Sequence, residues 1–163
     1  SSLLRLMAGF IKPTCGSISY QDPQQKLPIG FVFQKSVMLD RNVNENLLHA
    51  LACNDHTKDS NQKLVNQVLI KNNVFHLKYM SAKKISIGEQ QIISVLRALI
   101  IKPLILFLDE PTSSLDPKYT KIVENLILEA SRDIKVVLVT QSIEHLKIFN
   151  AEIIHLSNGG LIG

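Results

Sequence analysis

Cysteine is scarce in this sequence, and long apolar runs are missing from it. Cys15 and Cys53 stand in unlike surroundings and form no Cys-x-x-Cys pair, so neither a disulfide framework nor a cysteine-ligated metal site is indicated. The five histidines show no ligand spacing such as His-Glu-x-x-His, and we assign no metal-binding histidine. No apolar stretch approaches the roughly 20 residues that a membrane span requires. We therefore expect any association with a membrane to be made through a partner.

Signals for secretion and for nucleic-acid binding are also lacking. A basic start followed by an apolar stretch and a small-residue cleavage site is not present, which favours the cytoplasm as the compartment. The 18 Lys and Arg residues outnumber the 14 Asp and Glu residues and give a net charge of +4, but they are spread over the whole chain. We expect no nucleic-acid partner.

The order of apolar segments is typical of one α/β domain. The 163 residues, of which 45% are hydrophobic and 20% charged, suit a single globular core. Apolar runs at residues 29–33, 104–108 and 135–139 predict buried strands of a mainly parallel sheet. Alternation at residues 17–20 predicts a further strand, and the chain ends in a predicted hairpin. Helical spacing of apolar residues predicts helices at residues 43–51, 61–70, 92–101, 117–130 and 143–149.

Two adjacent carboxylates follow the apolar run of residues 104–108. Placing Asp109 and Glu110 at the end of a buried strand is costly unless a cation or a reaction needs them. Ligands of open α/β sheets bind at the carboxyl ends of the strands. This segment alone leaves two readings open. In the first, Asp109 holds Mg²⁺ and Glu110 polarises an attacking water. In the second, the two acids belong to an ordinary solvated strand end.

Two further motifs in a fixed order make the pattern specific. The segments Ser86-Ile87-Gly88-Glu89-Gln90-Gln91 and Arg97-Ala98-Leu99 precede the Asp109-Glu110 strand, which continues as Pro-Thr-Ser-Ser-Leu-Asp-Pro. Alone, Ser86 would be read as the N-cap of a helix. Together, the segments resemble the ATPase subunits of ATP-binding cassette (ABC) transporters, and the resemblance covers nearly the whole chain.

The resemblance implies an α/β fold with a P-loop NTPase-like core and a mainly parallel sheet. It implies one ABC ATPase domain over residues 1–163, lacking its N-terminal part, with a small inserted helical subdomain at about residues 42–100. The implied cofactors are ATP and Mg²⁺. Asp109 would then help to hold Mg²⁺, and Glu110 would activate the attacking water.

The resemblance also assigns roles to residues outside the carboxylate pair. Ser86, Gly88 and Glu89 belong to the signature that closes over ATP held by a second subunit, where free N–H groups and glycine favour close approach to phosphate. Gln34 resembles the loop glutamine that reaches the Mg²⁺ and water region. Asp116 resembles the aspartate of the loop that crosses the dimer interface.

The start of the chain resembles the end of a phosphate-binding loop. Ser1 matches the hydroxyl residue that binds Mg²⁺, and Ser2 matches the next phosphate-side hydroxyl. The glycines and lysine of the motif G-x-x-x-x-G-K-[ST] do not precede Ser1, and the chain does not begin with Met. We expect a segment upstream of Ser1 to be missing, and we expect this chain by itself to bind ATP poorly and hydrolyse it slowly.

The chain departs from the family pattern at Gln141, which stands where the family has its switch histidine. Glutamine donates a hydrogen bond but cannot become cationic as imidazole does, so we expect slower hydrolysis. His145 is interpreted as a surface residue of the following helix and not as a replacement. Ile87 stands in place of the first signature glycine, which weakens the signature without removing it.

Partners and alternatives follow from the same resemblance. The implied partners are a second copy bound head to tail, transmembrane permease subunits at the cytoplasmic face of the membrane, and a substrate-binding protein. Residues 31–47 are similar to importers of oxyanions such as tungstate or phosphate, although cargo is not chosen by these residues. The alternatives are a catalytically impaired remnant or regulatory subunit, and a cassette ATPase of DNA repair or chromosome maintenance, against which the lack of sustained heptads counts.

Overall fold

The computed structural model describes residues 1–20, 28–52, 57–157 and 159–162. Strands β1 (Ile29–Val32), β2 (Ile105–Asp109) and β3 (Lys135–Val139) form a parallel sheet in the order β1-β2-β3. The predicted α/β fold with a mainly parallel sheet is thereby confirmed. Cys15 is exposed, and Cys53 lies outside the described residues.

The central strand β2 is the most deeply buried part of the sheet. Leu106, Phe107 and Leu108 are all 0% exposed. A parallel strand that is covered on both faces needs apolar side chains pointing both ways, which explains why this stretch is a continuous apolar run. Asp109 therefore enters the protein interior at the end of an apolar strand.

Besides a short 3-10 helix at Phe75–Leu77, six α-helices occur in the described residues, and they connect and cover the strands. They are α1 (Ser2–Met7), α2 (Val43–Ala50), α3 (Lys58–Lys71), α4 (Ile87–Leu99), α5 (Pro117–Ala130) and α6 (Ile143–Phe149). Within the described ranges, no helix is both long and apolar enough to cross a membrane.

Two of the five predicted helices begin earlier in the chain than the sequence pattern indicated. The helix predicted at residues 61–70 begins at Lys58, because the Thr57 side chain accepts a hydrogen bond from the Ser60 amide. The helix predicted at residues 92–101 begins five residues earlier, at Ile87, because Ser86 caps it. Such caps satisfy amide groups that the first turn leaves without partners. As a result, the signature segment lies inside the first turn of α4.

Helix α4 links the sheet to the helices in the middle of the chain. It packs against β1, α5 and α2. The approach to β1 is close, since a Cβ atom at Gly30 would lie 2.8 Å from the carbonyl oxygen of Ala98. Buried side chains of α2, α3, α4 and the sheet belong to one continuous core. The bounds of a separate helical subdomain at residues 42–100 stay a prediction.

The two ends of the chain show one confirmed and one wrong prediction. The terminal hairpin is formed by β4 (His155–Ser157) and β5 (Gly160–Ile162), which pair in antiparallel fashion. The strand predicted at residues 17–20 is wrong, since these described residues are not in a strand. The Tyr20 hydroxyl donates a hydrogen bond to the Met7 carbonyl, which holds this segment against α1.

Candidate functional site

The carboxyl ends of the sheet strands carry polar residues that the sequence singled out. Asp109 ends β2 and Glu110 follows it, while Gln34 comes shortly after β1 and Gln141 shortly after β3. Because these parallel strands pair in register, their carboxyl ends lie at the same edge of the sheet. Ligands of open α/β sheets bind at such an edge.

An open cavity of about 350 Å³ lies at this edge of the sheet. Gln34, Glu110 and Gln141 line it together, as do Thr112, Thr140 and His145. The predicted water-activating residue and the two predicted glutamines are therefore brought to one site. Glu124 and Glu144 add two further carboxylates to the lining, and His145 is the one basic side chain among the described lining residues.

Ser1 and Asp109 form a direct hydrogen bond beside this edge. The Ser1 hydroxyl donates to Oδ1 of Asp109 over 2.8 Å. Asp109 is only 2% exposed, and so deeply buried a carboxylate needs a polar or cationic partner. Hydroxyl and carboxylate oxygens are ligands that suit Mg²⁺. Two of the three predicted metal ligands, Ser1 and Asp109, are thus neighbours. Ser2, the first residue of α1, is exposed.

The backbone of Glu110 adopts a left-handed conformation. Its φ angle is 49°, and its amide donates to the carbonyl oxygen of Val139 over 3.0 Å. A residue other than glycine in this region costs about 1–3 kcal/mol, and such strain concentrates at functional sites. The left-handed turn ends β2 and directs the half-buried Glu110 side chain to the cavity.

Gln34 is connected to Glu110 through one intermediate side chain. The Gln34 amide nitrogen donates to the Ser113 hydroxyl oxygen over 3.4 Å, and that hydroxyl donates to the Glu110 carbonyl over 3.2 Å. The loop after β1 is thereby tied to the loop after β2. The side chain of Gln34 is exposed, so it remains accessible from the cavity.

Two residues of α4 hold the loop that carries Gln34. The Ser36 hydroxyl donates to Oε1 of Gln91, and the Arg97 guanidinium donates to the Val37 carbonyl over 2.8 Å. Burial lowers the pKa of Arg97 from its ordinary value, although guanidinium stays charged in proteins. Sequence reasoning used both residues to recognise a motif but gave them no role in positioning this loop.

His145 is buried, so its interpretation as a surface residue was wrong. It is 4% exposed, although most of α6 is solvent-accessible. Its Nδ1 lies 2.6 Å from the Thr140 hydroxyl, and its Nε2 lies 3.1 Å from the Thr112 hydroxyl and 3.3 Å from Oε1 of Glu124. Contacts to α5 and to two strand-end loops bury the ring. The available sequence signal was the threonine that follows β3, since a hydroxyl there needs a partner.

The signature segment forms the first turn of α4. The Ser86 hydroxyl oxygen accepts from the Glu89 amide over 3.2 Å, and the Glu89 carboxylate accepts from the Ser86 amide over 2.8 Å. This capping box means that the simpler reading of Ser86 as an N-cap is also correct. Ser86 and Ile87 are exposed, whereas Gly88 is buried. Its Cα lies against the ring of Tyr119, so the predicted reason for this glycine, access for phosphate, is not its role within the single chain.

Asp116 likewise has a local structural role. Its carboxylate accepts a hydrogen bond from the Tyr119 amide over 3.0 Å and so caps α5. Pro117 follows in the first turn, where its missing N–H is harmless. Tyr119 thereby links the cap at Asp116 to the packing against Gly88. Of the predicted site residues, only Gln34, Glu110 and Gln141 line the cavity in the described part of the chain, and seven do not: Ser1, Ser2, Ser86, Gly88, Glu89, Asp109 and Asp116.

Comparisons with known proteins identify the family. A sequence profile described as "ABC transporter" matches residues 1–113. The tungstate uptake system ATP-binding protein TupC of Peptoclostridium acidaminophilum is 32% identical, over 98% of this chain and 77% of its own length. The molybdate/tungstate import ATP-binding protein WtpC of Methanocaldococcus jannaschii is also 32% identical, over 99% of this chain and 57% of its own length.

Solved structures share the fold. A metal-chelate type ABC transporter in an inward-facing conformation is 28% identical, with a TM-score of 0.74 over 90% of this chain and 60% of that one. The protein cbiO1 of Clostridium perfringens, part of the ABC transporter complex cbiONQ, is 24% identical, with a TM-score of 0.74 over 91% of this chain and 64% of that one. This chain thus spans under two thirds of WtpC and of both solved chains. It belongs to the ABC transporter family, among ATP-binding members with the P-loop NTPase fold.

Proposed function

We propose that this chain provides the ATP-hydrolysing part of an ABC import system, with Glu110 as the general base. The observation that carries the proposal is the position of Glu110 in a cavity that it shares with Gln34 and Gln141, one residue after the buried Asp109. A carboxylate at the end of a sheet strand, directed into an accessible cavity, is suited to orient a water and accept its proton. Membership of an ATP-binding family supports ATP as the substrate.

Ser1 and Asp109 are the residues that fit Mg²⁺. Their oxygens lie 2.8 Å apart, and the Asp109 carboxylate is buried with that hydroxyl as a partner. Both are hard oxygen ligands, and a cation would offset the cost of burying the carboxylate. Bound Mg²⁺ would neutralise charge on the phosphate oxygens. Gln34 is the third candidate ligand, from the loop after β1.

The remaining steps belong to residues of this chain. Glu110 would hold a water by its carboxylate and take its proton as the water oxygen attacks the terminal phosphorus. The bond from that phosphorus to the bridging oxygen would break, which gives ADP and inorganic phosphate. Gln141, which is exposed and lines the same cavity, would donate a hydrogen bond to a phosphate oxygen. Because an amide carries no charge, Gln141 would stabilise the transition state less than a cationic histidine.

Four residues that do not line the cavity are assigned to a contact with a second copy and its nucleotide: Ser86, Gly88, Glu89 and Asp116. Ser86 lies exposed at the start of the 13-residue helix α4, where its hydroxyl accepts from Glu89 but keeps its own hydrogen free to donate. Free amides and the positive end of the helix dipole favour an anion there. We propose that Ser86, Gly88 and Glu89 of one copy face ATP held by another, with Asp116 near that interface. The proposed assembly is therefore a head-to-tail dimer.

The proposed transport partners are permease subunits and a substrate-binding protein. The dimer would attach to the permease at the cytoplasmic face of the membrane, since an ATP-dependent importer draws on cytoplasmic ATP. An oxyanion is the proposed cargo, because TupC and WtpC are named for tungstate and molybdate, and a phosphate import protein of Shouchella clausii is 33% identical over 82% of this chain. A spermidine/putrescine import protein of Legionella pneumophila is 32% identical, so sequence similarity alone does not select the cargo.

The first experiment measures ATP hydrolysis by the full-length protein with its permease. Glu110→Gln should lower kcat by about 100-fold to 10,000-fold, the usual contribution of a general base, while ATP still binds. Glu152→Gln, an exposed carboxylate outside the cavity, serves as the control and should keep the rate. A robust rate that is unchanged in Glu110→Gln would refute the assignment of the base.

A second experiment addresses the metal ligands and the dimer. Ser1→Ala should raise the Mg²⁺ concentration needed for half-maximal activity, and Ser1→Thr, which keeps the hydroxyl, should not.

The dimer is tested by light scattering. The Glu110→Gln variant should dimerise on addition of ATP and Mg²⁺, and adding Ser86→Phe should prevent that dimer. If Ser86→Phe dimerises normally, the second nucleotide contact is wrong.

The third experiment addresses cargo. Transport should be measured with tungstate, phosphate and spermidine in vesicles that contain the complete system. Uptake of either oxyanion supports the proposal, and uptake of spermidine alone contradicts it.

A further inference from the structure

The buried histidine of α6 forms a polar network at the edge of the cavity. His145 contacts Thr140 through Nδ1, and Thr112 and Glu124 through Nε2. Glu124 lies on α5, and its side chain is only 13% exposed. The His145 ring also lies 5.6 Å from the Phe149 ring, centroid to centroid, which accounts for part of its packing. Packing alone, however, does not require a side chain with two polar atoms at a buried position.

The hydrogen bonds of this network have a consistent direction. The Ser142 amide donates to the Thr140 hydroxyl oxygen over 3.0 Å. The Thr140 hydroxyl can then donate its own hydrogen to Nδ1 of His145, 2.6 Å away. In a neutral ring, this leaves the hydrogen on Nε2, which faces the Glu124 carboxylate. Both ring nitrogens are thus engaged, and the ring orientation is determined from both sides.

The partners of His145 belong to the loops that carry the two proposed catalytic side chains. Thr112 lies two residues after Glu110, and Thr140 immediately precedes Gln141. The backbones of these loops are joined by one bond near the sheet, from the Glu110 amide to the Val139 carbonyl. His145 adds a second connection further out. A loop held at two points along its length has less freedom to move than a loop held at one.

We propose that His145 is a positioning residue that sets the separation of Glu110 and Gln141 for hydrolysis. The inference rests on the proposed function and goes beyond it, because His145 does not itself touch the nucleotide. It acts through Thr112 and Thr140, and Glu124 fixes the ring that bridges them. A glutamine at position 141 has no charge to draw it to the phosphate, so correct placement depends on the protein around it.

The test uses variants that separate hydrogen bonding from packing. His145→Phe keeps a ring beside Phe149 but removes both polar contacts. His145→Asn places an amide where Nδ1 lies and keeps the Thr140 contact, while His145→Gln reaches the Thr112 and Glu124 side. Val123→Ala, next to Glu124 on α5 and 0% exposed, is the matched control, because it destabilises α5 without removing a hydrogen bond.

The expected result is a loss in kcat with little change in KM for ATP. His145→Phe should lower kcat at least about tenfold, since small misplacements of catalytic groups have effects of this size or larger. His145→Asn and His145→Gln should each recover part of the rate, whereas Val123→Ala should keep kcat at temperatures where it is folded. If kcat in all variants simply follows the melting temperature, or if His145→Phe keeps the wild-type kcat, the positioning role is wrong.

A readout that does not depend on turnover separates this inference from the proposed function. Hydrogen–deuterium exchange should rise in His145→Phe at residues 110–113 and 140–142 together, and not in Val123→Ala. Absence of that rise overturns the bridge even in an active enzyme. Conversely, if Glu110→Gln leaves hydrolysis unchanged while both loops loosen in His145→Phe, the general base is wrong and the bridge stands.

Discussion

The ring of Tyr119 lies against the Cα of Gly88, so closely that a Cβ atom at position 88 would fall 2.3 Å from two of its ring carbons. Tyr119 belongs to the first turn of α5, and its amide donates to Asp116. Gly88 belongs to the first turn of α4. The two helix starts that we assign to the dimer interface are therefore packed together through one aromatic ring.

Gly88→Ala should destabilise the protein by about 1–3 kcal/mol, the usual cost of overpacking a well-filled site. Helix propensity alone predicts the opposite sign, because alanine in a helix is more favourable than glycine by about 0.5–1 kcal/mol. The free energy of unfolding, measured with urea, distinguishes the two. Gly160→Ala is the control, since the nearest contact of its Cβ would be 3.8 Å away. Removing the ring in Gly88→Ala/Tyr119→Ala should abolish the penalty of the alanine, and a penalty that persists would point to another cause.

Asn46→Ala should cost about 2–3 kcal/mol of stability, because it leaves buried polar groups without partners. Asn46 is 0% exposed, and its side chain accepts from the Leu39 amide and donates to the Asn42 carbonyl, each over 3.0 Å. These bonds hold the segment that follows the Gln34 loop. Thermal and urea unfolding measure the effect, with Gln67→Ala on the exposed face of α3 as the control. A change within 0.5 kcal/mol, the usual range for surface substitutions, would contradict the role of Asn46.

Glu110→Gly should stabilise the fold by about 1 kcal/mol while abolishing hydrolysis. The φ angle of 49° at Glu110 is strained for glutamate and not for glycine. Glu110→Gln keeps the strain and should leave stability unchanged, so the two inactive variants should differ in their melting temperatures. Equal melting temperatures would mean that the left-handed turn stores no strain.

Local patterns were sufficient to predict the sheet and most helices. The continuous apolar run indicated β2, and Pro117 after Asp116 indicated the start of α5. Each signal extends over only a few residues, and the structure has both elements where they were predicted. The alternation at residues 17–20 is too short to outweigh the contact between Tyr20 and α1. The apolar spacing alone places the start of α4 too late, because Ser86 and Glu89 cap the helix together before its apolar residues begin.

The polar network of His145 had no such local signal. Glu124 and His145 are separated by 21 positions in the chain and meet only because the fold brings α5 and α6 together. The residues around His145 are mostly exposed, including the apolar Ile143, Leu146 and Ile148. Burial of a polar residue on such a helix depends on tertiary contacts, which spacing and composition do not encode. Glu110, by contrast, was found because it follows a recognisable strand, and Gln34 was assigned through the family resemblance.

Gln141→His should raise kcat at least about tenfold in the full-length protein, because a cationic imidazole beside the phosphate would add a charge that an amide lacks. Gln141 is exposed and lines the same cavity as Glu110, so the substitution should change stability by less than about 0.5 kcal/mol. Steady-state ATPase assays at saturating ATP measure the effect, and Gln141→Ala, which removes the hydrogen bond, should fall below wild type. If Gln141→His and Gln141→Ala both match the wild-type rate, the side chain at this position takes no part in hydrolysis. In that case, the placement of Glu110 by the surrounding loops would account for the activity without a contact from β3.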